Sequence, residues 1–380
     1  MLKQPAKDTD QRSPVNIPER KLWQDEKRNT PALGCWGCPD RGFCGSLAIE
    51  AGLTSCLDLC CGNPAKCDRP CRNNHDFALR VREVGTFDLT NVPRAPVLRA
   101  PFLPFVASVV FHGNRRARLL GPGPVALPLY KMISRREGIL RFESHEALCA
   151  AFGLVPGTPV ILTGTDQDPP LERWWGYESR RREIIRGLRA IGAVFSTTPN
   201  FSLFVDVPRQ IDLHAMKRIG LVHQEFLDEG LPCALHVNGR SETDFRRWAE
   251  YVQARPEVTH IAYEFTTGTA RAERRPLHVE WLTGIAAAAG RPLHLTVRGG
   301  IEVLPQLTAA FNRVSVLETW SFMKTMKRQR AMRRADGRLR WRRSPTPRGA
   351  PIDDLFAANR AAVLAWIGSY DPAMALSATG

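Results

Sequence analysis

Between residues 105 and 320, short β-branched or apolar runs alternate with longer stretches of helical pattern. No other feature of the chain restricts its fold as much. The candidate strands are residues 105–113, 125–132, 159–165, 193–197, 233–239, 260–265, 292–300 and 313–319. From the third strand onward, helices are expected over 171–191, 209–229, 241–255, 277–290 and 301–312. Ser241, followed by Glu242, Thr243 and Asp244, reads as an N-cap with an acidic first turn. Gly192, Gly230 and Gly290 stand where helix C-termini need a left-handed residue. Strands joined through helices lie parallel, with right-handed crossovers. Eight such units predict an α/β fold, a (β/α)8 TIM-like barrel over 105–320. An open doubly wound sheet is the alternative, and no Gly-x-Gly-x-x-Gly follows any strand to favour it.

Eight of the ten cysteines fall into one short stretch: Cys35, Cys38, Cys44, Cys56, Cys60, Cys61, Cys67 and Cys71. Cys35-x2-Cys38 lets two thiolates grip one ion from a tight turn, and Gly34, Gly37, Pro39 and Gly45 suit such turns. The first 34 residues are polar and lack the apolar core of a signal peptide, and no run is long enough to span a membrane. A cytoplasmic protein is therefore expected (host cytoplasm if it is phage-encoded), so secreted disulfides are not the reading. The cysteines are expected to form a metal-binding module holding zinc, with an iron–sulfur cluster as the alternative. A radical-SAM pattern begins at Cys56-x3-Cys60 but meets Asn63 where its third cysteine belongs. The expected organisation is a flexible arm (1–34), a Cys-rich module (35–84), a Pro-containing connector (85–104), the barrel (105–320), and a basic segment with a capping helix (321–380).

Lys and Arg number 53 against 38 Asp and Glu, a net charge of +15. This favours a polyanionic partner, nucleic acid before a membrane surface. Eleven of the basic residues lie between Lys324 and Arg348, against the single acid Asp336. Such runs are usually solvated faces, but Trp341 interrupts this one directly after the last strand. Lys324, Lys327, Arg328 and Arg330 are therefore candidates for contact with a nucleic-acid backbone. Residues 353–368 read as an amphipathic helix.

In barrels of this kind, chemistry comes from the carboxyl ends of the strands. Three carboxylates stand there: Asp166, Glu264 and Glu318. A carboxylate in an apolar strand needs a polar cavity or a partner, and Arg298 is a candidate partner. Paired carboxylates can divide nucleophilic and proton-transfer work at an anomeric carbon. His112, His236 and His294 are weaker candidates, and His294 lies mid-strand.

PVILTGTDQD, FSTTPNFS, ALHVNGRSETDF, HIAYEFTTGT and SVLETWSFMKTMKRQR occur in that order. Over residues 158–335 this order resembles the tRNA-guanine transglycosylase family, and in character its DNA-modifying 7-deazaguanine relatives. Ser196 and Thr197 stand where that pattern has an acid, and Tyr263 and Glu264 where it has glycines. The resemblance implies a pentosyltransferase that exchanges guanine for a 7-deazaguanine base through a covalent glycosyl–enzyme intermediate. It further implies DNA rather than tRNA as the polymer, and a phage or mobile-element setting. Glu318 takes the position of the nucleophile and Asp166 that of a catalytic-pocket acid. Asn238, Gly239, Glu264, Phe201, Arg298 and Trp320 would form the substrate site. An iron–sulfur redox barrel enzyme and a non-catalytic, zinc-containing nucleic-acid-binding protein are the competing readings. A colourless protein that releases zinc on acid treatment is the expected preparation, and absorbance near ~400 nm would show a cluster instead.

Overall fold

The eight apolar runs form eight strands: β1 (Val106–Ser108), β2 (Val125–Pro128), β3 (Val160–Thr163), β4 (Ala193–Thr197), β5 (Cys233–His236), β6 (His260–Phe265), β7 (His294–Gly299) and β8 (Arg313–Glu318). All neighbours are parallel, in the order β1-β8-β7-β6-β5-β4-β3-β2. Between β1 and β2 the ladder shrinks to one bridge, Val109 with Ala126, where the Val110 N–H donates to the Ala126 carbonyl at 2.9 Å. That bridge closes the sheet into a barrel of the (β/α)8 type. The architecture comes from a computed structural model, which describes residues 77–99, 101, 103, 105–121, 123–204, 209–266, 274–347 and 349–370. The expected arm and all eight clustered cysteines, Cys35 to Cys71, lie outside the described residues.

Side chains alternate between the two faces of a strand. One set fills the lumen: Ala107, Val109, Ala126, Ile161, Phe195, Ala234, Ala262 and Leu317 pack together there. The other set meets the helices in the larger apolar core, which includes Leu127, Leu162, Leu235, Ile261, Val297 and Val316.

The helices are α1 (Phe77–Val84), α2 (His145–Phe152), α3 (Asp168–Trp175), α4 (Arg180–Ala190), α5 (Arg209–Asp228), α6 (Glu242–Gln253), α7 (Arg275–Ala289), α8 (Leu304–Ala310), α9 (Trp320–Met326) and α10 (Asp353–Gly368). The helix expected over 171–191 is two helices, α3 and α4, interrupted around Glu178, whose φ is 49°. Each half is pinned separately to α5. Trp174 stacks on Phe226 with ring centroids 5.8 Å apart, and Arg181 forms a two-pronged pair with Glu225 at 2.8 and 2.7 Å. At α6 the expected N-cap is a full capping box between Ser241 and Asp244. No helix follows β1. Asp353, at the start of α10, instead accepts from the backbone N–H groups of Ala117 and Arg118 at 2.8 and 3.1 Å.

The sequence boundaries at the N-terminal side are corrected. Residues 77–84, assigned above to the Cys-rich module, form α1 and pack through Val81 and Val84 with Leu213 of α5. The expected connector is a strap anchored to the barrel. Phe87, Leu89 and Val92 are buried. Carbonyls of the strap accept from Arg247 (at Phe87, 2.7 Å), Lys217 (at Asp88) and Arg255 (at Thr90, Val92 and Pro93). Part of the chain's positive charge is thus spent inside the fold. The segment after β8 is likewise more than a solvated tail. Gln329–Arg333 (β9) and Leu339–Arg343 (β10) form an antiparallel hairpin. The buried amide of Asn359 on α10 holds it, accepting from the Ala331 N–H and donating to the Gln329 carbonyl, both at 2.8 Å. Among the described residues no helix is long and apolar enough to cross a membrane.

Burial holds five imidazoles well below 6.5: His214 and His223 at about 4, and His236, His260 and His278 at about 3. Desolvation is the largest cause at each. Arg298 adds to it at His236, and Arg240 and Arg274 add to it at His278. Between these values and 6.5 the unfolded chain binds protons that the native state refuses, so stability falls as pH drops through that window. The urea midpoint at pH 5 is expected to lie clearly below that at pH 7.5. An unchanged midpoint would contradict this assignment.

Candidate active site

Residues at the carboxyl ends of the strands surround a cavity of about 400 Å³. Its wall draws on all parts of the ring, from Val109 and Pro128 through Thr163, His236, Glu264 and Arg298 to Thr319. This volume falls within the usual range for small-molecule sites. It lies where barrel enzymes carry their chemistry.

Glu264 is the most firmly positioned carboxylate in the wall. It and Arg298 are register partners on β6 and β7, so strand pairing alone brings them side by side. The Arg298 guanidinium lies 3.3 Å from Glu264 Oε1. The Thr266 hydroxyl donates to the same oxygen at 2.5 Å, and the Asn200 amide donates to Oε2 at 2.9 Å. Three donors from three strand ends therefore fix both carboxylate oxygens. Asp166, after β3, also lines the cavity but is exposed, and it accepts from the Gln167 N–H at 2.8 Å. The strand end behind it is close-packed, because a Cβ on Gly164 would lie 2.4 Å from the Thr198 carbonyl oxygen.

His236 supplies an uncharged polar edge. Its burial and the nearby Arg298 keep the imidazole neutral. The side chain of Asn238 is oriented by donation to the Phe201 carbonyl at 3.0 Å. Arg240, also in the wall, donates from Nε to the Leu203 carbonyl. The cavity thus offers one pinned carboxylate, one exposed carboxylate, a neutral imidazole, amides and two guanidinium groups. That set suits proton transfer and attack at an electrophilic carbon of a polar substrate.

Of the residues singled out in the sequence, Asp166, His236, Asn238, Glu264 and Arg298 meet in this cavity. Others do not, and their expected roles are corrected. Glu318 is 1% exposed, and its carboxylate accepts from the N–H of Ser321 at 3.0 Å and from the Ser321 hydroxyl, satisfying the first turn of α9. Its neighbour Thr319 lines the cavity in its place. Phe201 is fully buried beneath the Arg218 guanidinium, 4.1 Å from its ring centroid, and has no face left for a base. Trp320 packs edge-on against Trp366, 5.5 Å away. Gly239 is a packing glycine, since a Cβ there would meet the Phe245 ring at 2.8 Å. His112 packs on Phe322, and His294 lies at the opposite end of the lumen. Asn200 and Thr266 follow strand ends, but the sequence assigns no role to them or to Arg240. A polar residue following a strand was the only local signal, and the Asn200–Glu264 contact spans 64 residues.

The basic segment sorts by position. Lys324 lies over the Trp341 ring at 5.6 Å, and Arg328, with φ 52°, forms the corner between α9 and β9. Lys327 and Arg330 are exposed. On the hairpin's outer face Arg330 lies directly opposite Arg342, with exposed Arg340 beside them.

Neither a protein-family model nor a curated protein sequence matches the chain. Among solved structures, it is similar to a Burkholderia cenocepacia J2315 protein described provisionally as a lyase/mutase. The identity is 17%, the match covers 66% of this chain and 88% of that one, and the TM-score is 0.31. At that TM-score the likeness carries no argument about fold or function.

The capping role of Glu318 has a measurable consequence. Glu318→Ala leaves a buried N–H and hydroxyl without their acceptor and is expected to cost about 1–3 kcal/mol in urea unfolding. Glu318→Gln, which keeps an acceptor, should cost less. Equal losses would argue against the cap.

Proposed function

We propose that the chain is a nucleic-acid guanine transglycosylase in which Glu264, rather than Glu318, is the carboxylate that works at C1′. The observation that carries this reading is the three-donor clamp on Glu264 inside the barrel-mouth cavity. The clamp sets the carboxylate in one orientation beside open space, which is what an attacking group needs. The order of motifs along the chain supplies the reaction class.

In the proposed reaction a target guanosine leaves its stack and enters the cavity. A Glu264 oxygen attacks C1′, and the C1′–N9 bond breaks. The electron pair passes to N9 of the departing guanine, which takes a proton from the Asp166 carboxylic acid. A glycosyl ester to Glu264 remains. The incoming 7-deazaguanine base gives its ring N–H proton to the Asp166 carboxylate. That nitrogen attacks C1′ and frees Glu264. His236 and Asn238 would read the edge of the base, and the neutral imidazole can donate or accept there. Arg298 holds the Glu264 carboxylate in place from 3.3 Å away.

DNA is the favoured polymer. Arg330, Arg340 and Arg342, together with Lys327, would meet its phosphates. Like charges directly opposite across a ribbon are destabilising on their own, and a polyanion laid along that face offsets the repulsion. The Cys-rich segment is proposed to hold zinc as a second contact with the backbone.

The test uses the full-length protein, a guanine-containing duplex, tRNA, and labelled guanine. Glu264→Gln should lower exchange by roughly a thousandfold or more and abolish the covalent adduct, whereas Glu318→Gln should retain both. Arg340→Ala with Arg342→Ala should reduce the slope of log affinity against log salt by about one per lost phosphate contact. Wild-type exchange by Glu264→Gln would overturn the assignment. Retained duplex binding without exchange or adduct in the wild-type protein would leave a non-catalytic binding protein.

A further inference from the structure

The larger of the cavities described lies at the other end of the lumen. It measures about 730 Å³ and is bounded by the amino-terminal ends of β6, β7 and β8 and by the strap around residues 98–103. Barrel floors are normally closed by layers of branched apolar side chains. Here β1 to β5 keep the lumen apolar, with Ala107, Ala126, Ile161, Phe195 and Ala234. The other three strands do not. Counting inward by twos, β6 places His260, Ala262 and Glu264 on the lumen face, and β7 places His294, Thr296 and Arg298. On the same face β8 places Arg313, Ser315 and Leu317. The upper members of this column reach the cavity at the mouth. The lower members line the floor cavity.

The floor is built with some order. The rings of His260 and His294 stack at 4.5 Å and 18°. Phe195 meets His260 edge-on at 5.1 Å, and the Arg313 guanidinium sits 4.0 Å over Phe105 while its Nε donates to the Leu103 carbonyl at 2.8 Å. Thr259 and His260 Nδ1 are hydrogen-bonded at 3.0 Å. The remaining polar atoms are not so settled. Thr296 is only 2% exposed and its hydroxyl has no partner among the described residues; Nδ1 of the half-buried His294 has none there either. A threonine whose hydroxyl goes unused is less stable in a core than a valine of the same shape. Stability alone therefore does not explain this layer.

Charge narrows the ligand. Arg99 and Arg313 line the cavity, with Asn312, Thr259 and Ser315 beside them. A metal is not the natural occupant. The two imidazoles lie face to face, and no group of three metal-ligating side chains exists among the described residues. Two guanidinium groups with hydroxyl and amide donors match an anion.

We propose that this amino-terminal end of the lumen is a second binding site, taking a small molecule that carries a phosphate or carboxylate group. Arg99 stands exposed at the edge of the cavity and Arg313 lies further in. Thr296 and Ser315 form the far wall. Thr296 is two residues from Arg298 on the same strand, so a ligand here sits directly beneath the arginine that holds Glu264. The proposal does not depend on which reaction occurs at the mouth.

The experiment is equilibrium dialysis of the full-length protein against radiolabelled inorganic phosphate and, separately, radiolabelled citrate. Wild-type protein should bind one of the probes saturably, at about one equivalent per chain. Phosphate and citrate distinguish the two ligand sources. Thr296→Val and Arg99→Gln should each weaken binding by roughly five- to tenfold. Thr296→Val should also keep or raise the melting temperature, because it gives up no hydrogen bond within the protein. The hairpin variant Arg340→Ala with Arg342→Ala should bind like the wild type. Absence of saturable binding for both probes would overturn the proposal. So would binding that the hairpin variant loses and Thr296→Val and Arg99→Gln keep. A Thr296→Val protein that melts earlier while binding normally would assign the hydroxyl to structure alone and would also sink it.

Discussion

Strand pairing between β6 and β7 is the constraint on which the rest of the molecule turns. Six consecutive register pairs run from His260–His294 to Phe265–Gly299. Because side chains alternate across a strand, a slip of one residue would send every lumen side chain to the helix side. The same register that brings Glu264 to Arg298 at the mouth brings His260 to His294 at the floor. Apolar packing on the outer face fixes this register, through Ile261, Leu295 and Val297. The polar lumen is thus held in place by packing on the opposite face of its strands, and the site inherits its geometry from the core.

Such an arrangement explains why a charged pair is tolerated inside a barrel. A half-buried carboxylate and guanidinium need their remaining hydrogen-bonding capacity met, or desolvation outweighs their attraction. Asn200 and Thr266 meet part of that need for Glu264. The Nε of Arg298 has no partner among the described residues, and His236 close by stays neutral. The pair is therefore satisfied on the carboxylate side and incomplete on the guanidinium side. That imbalance is the kind a bound substrate relieves.

The barrel was legible because its signals are local. Runs such as VALP and VILT are apolar on both faces, and the helices between them carry caps and glycine stops within a few residues. What the sequence misjudged depended on partners far along the chain. Glu318 looked like a site residue because an acid ended an apolar strand, yet Ser321 three residues on was enough to bury it. Phe201 looked like a stacking platform, but Arg218 from α5 covers it. The Cys-rich boundary was drawn past Val84 because α1 is too short to show a periodic pattern, and its reason to exist is Leu213, more than a hundred residues away. Asn200 could not be picked without knowing that Glu264 lies across the mouth.

Charge shows the same division between local reading and spatial outcome. As a sum, the basic excess points outward to a polyanion. In the fold it divides among distinct uses. Arg247, Lys217 and Arg255 turn inward and bind strap carbonyls, so they tie down residues 87–93 and do not attract partners. Arg298 and Arg240 face the mouth, and Arg313 and Arg99 face the floor. The hairpin presents arginines on an exposed face, with Arg330 and Arg342 set opposite each other. An inward arginine is stabilised by the acceptors already around it. An outward one opposite another arginine has water and salt in place of such acceptors. The hairpin is therefore the part of the charge on which the proposed polyanionic contact rests, and a net charge alone would have assigned that role to all of it.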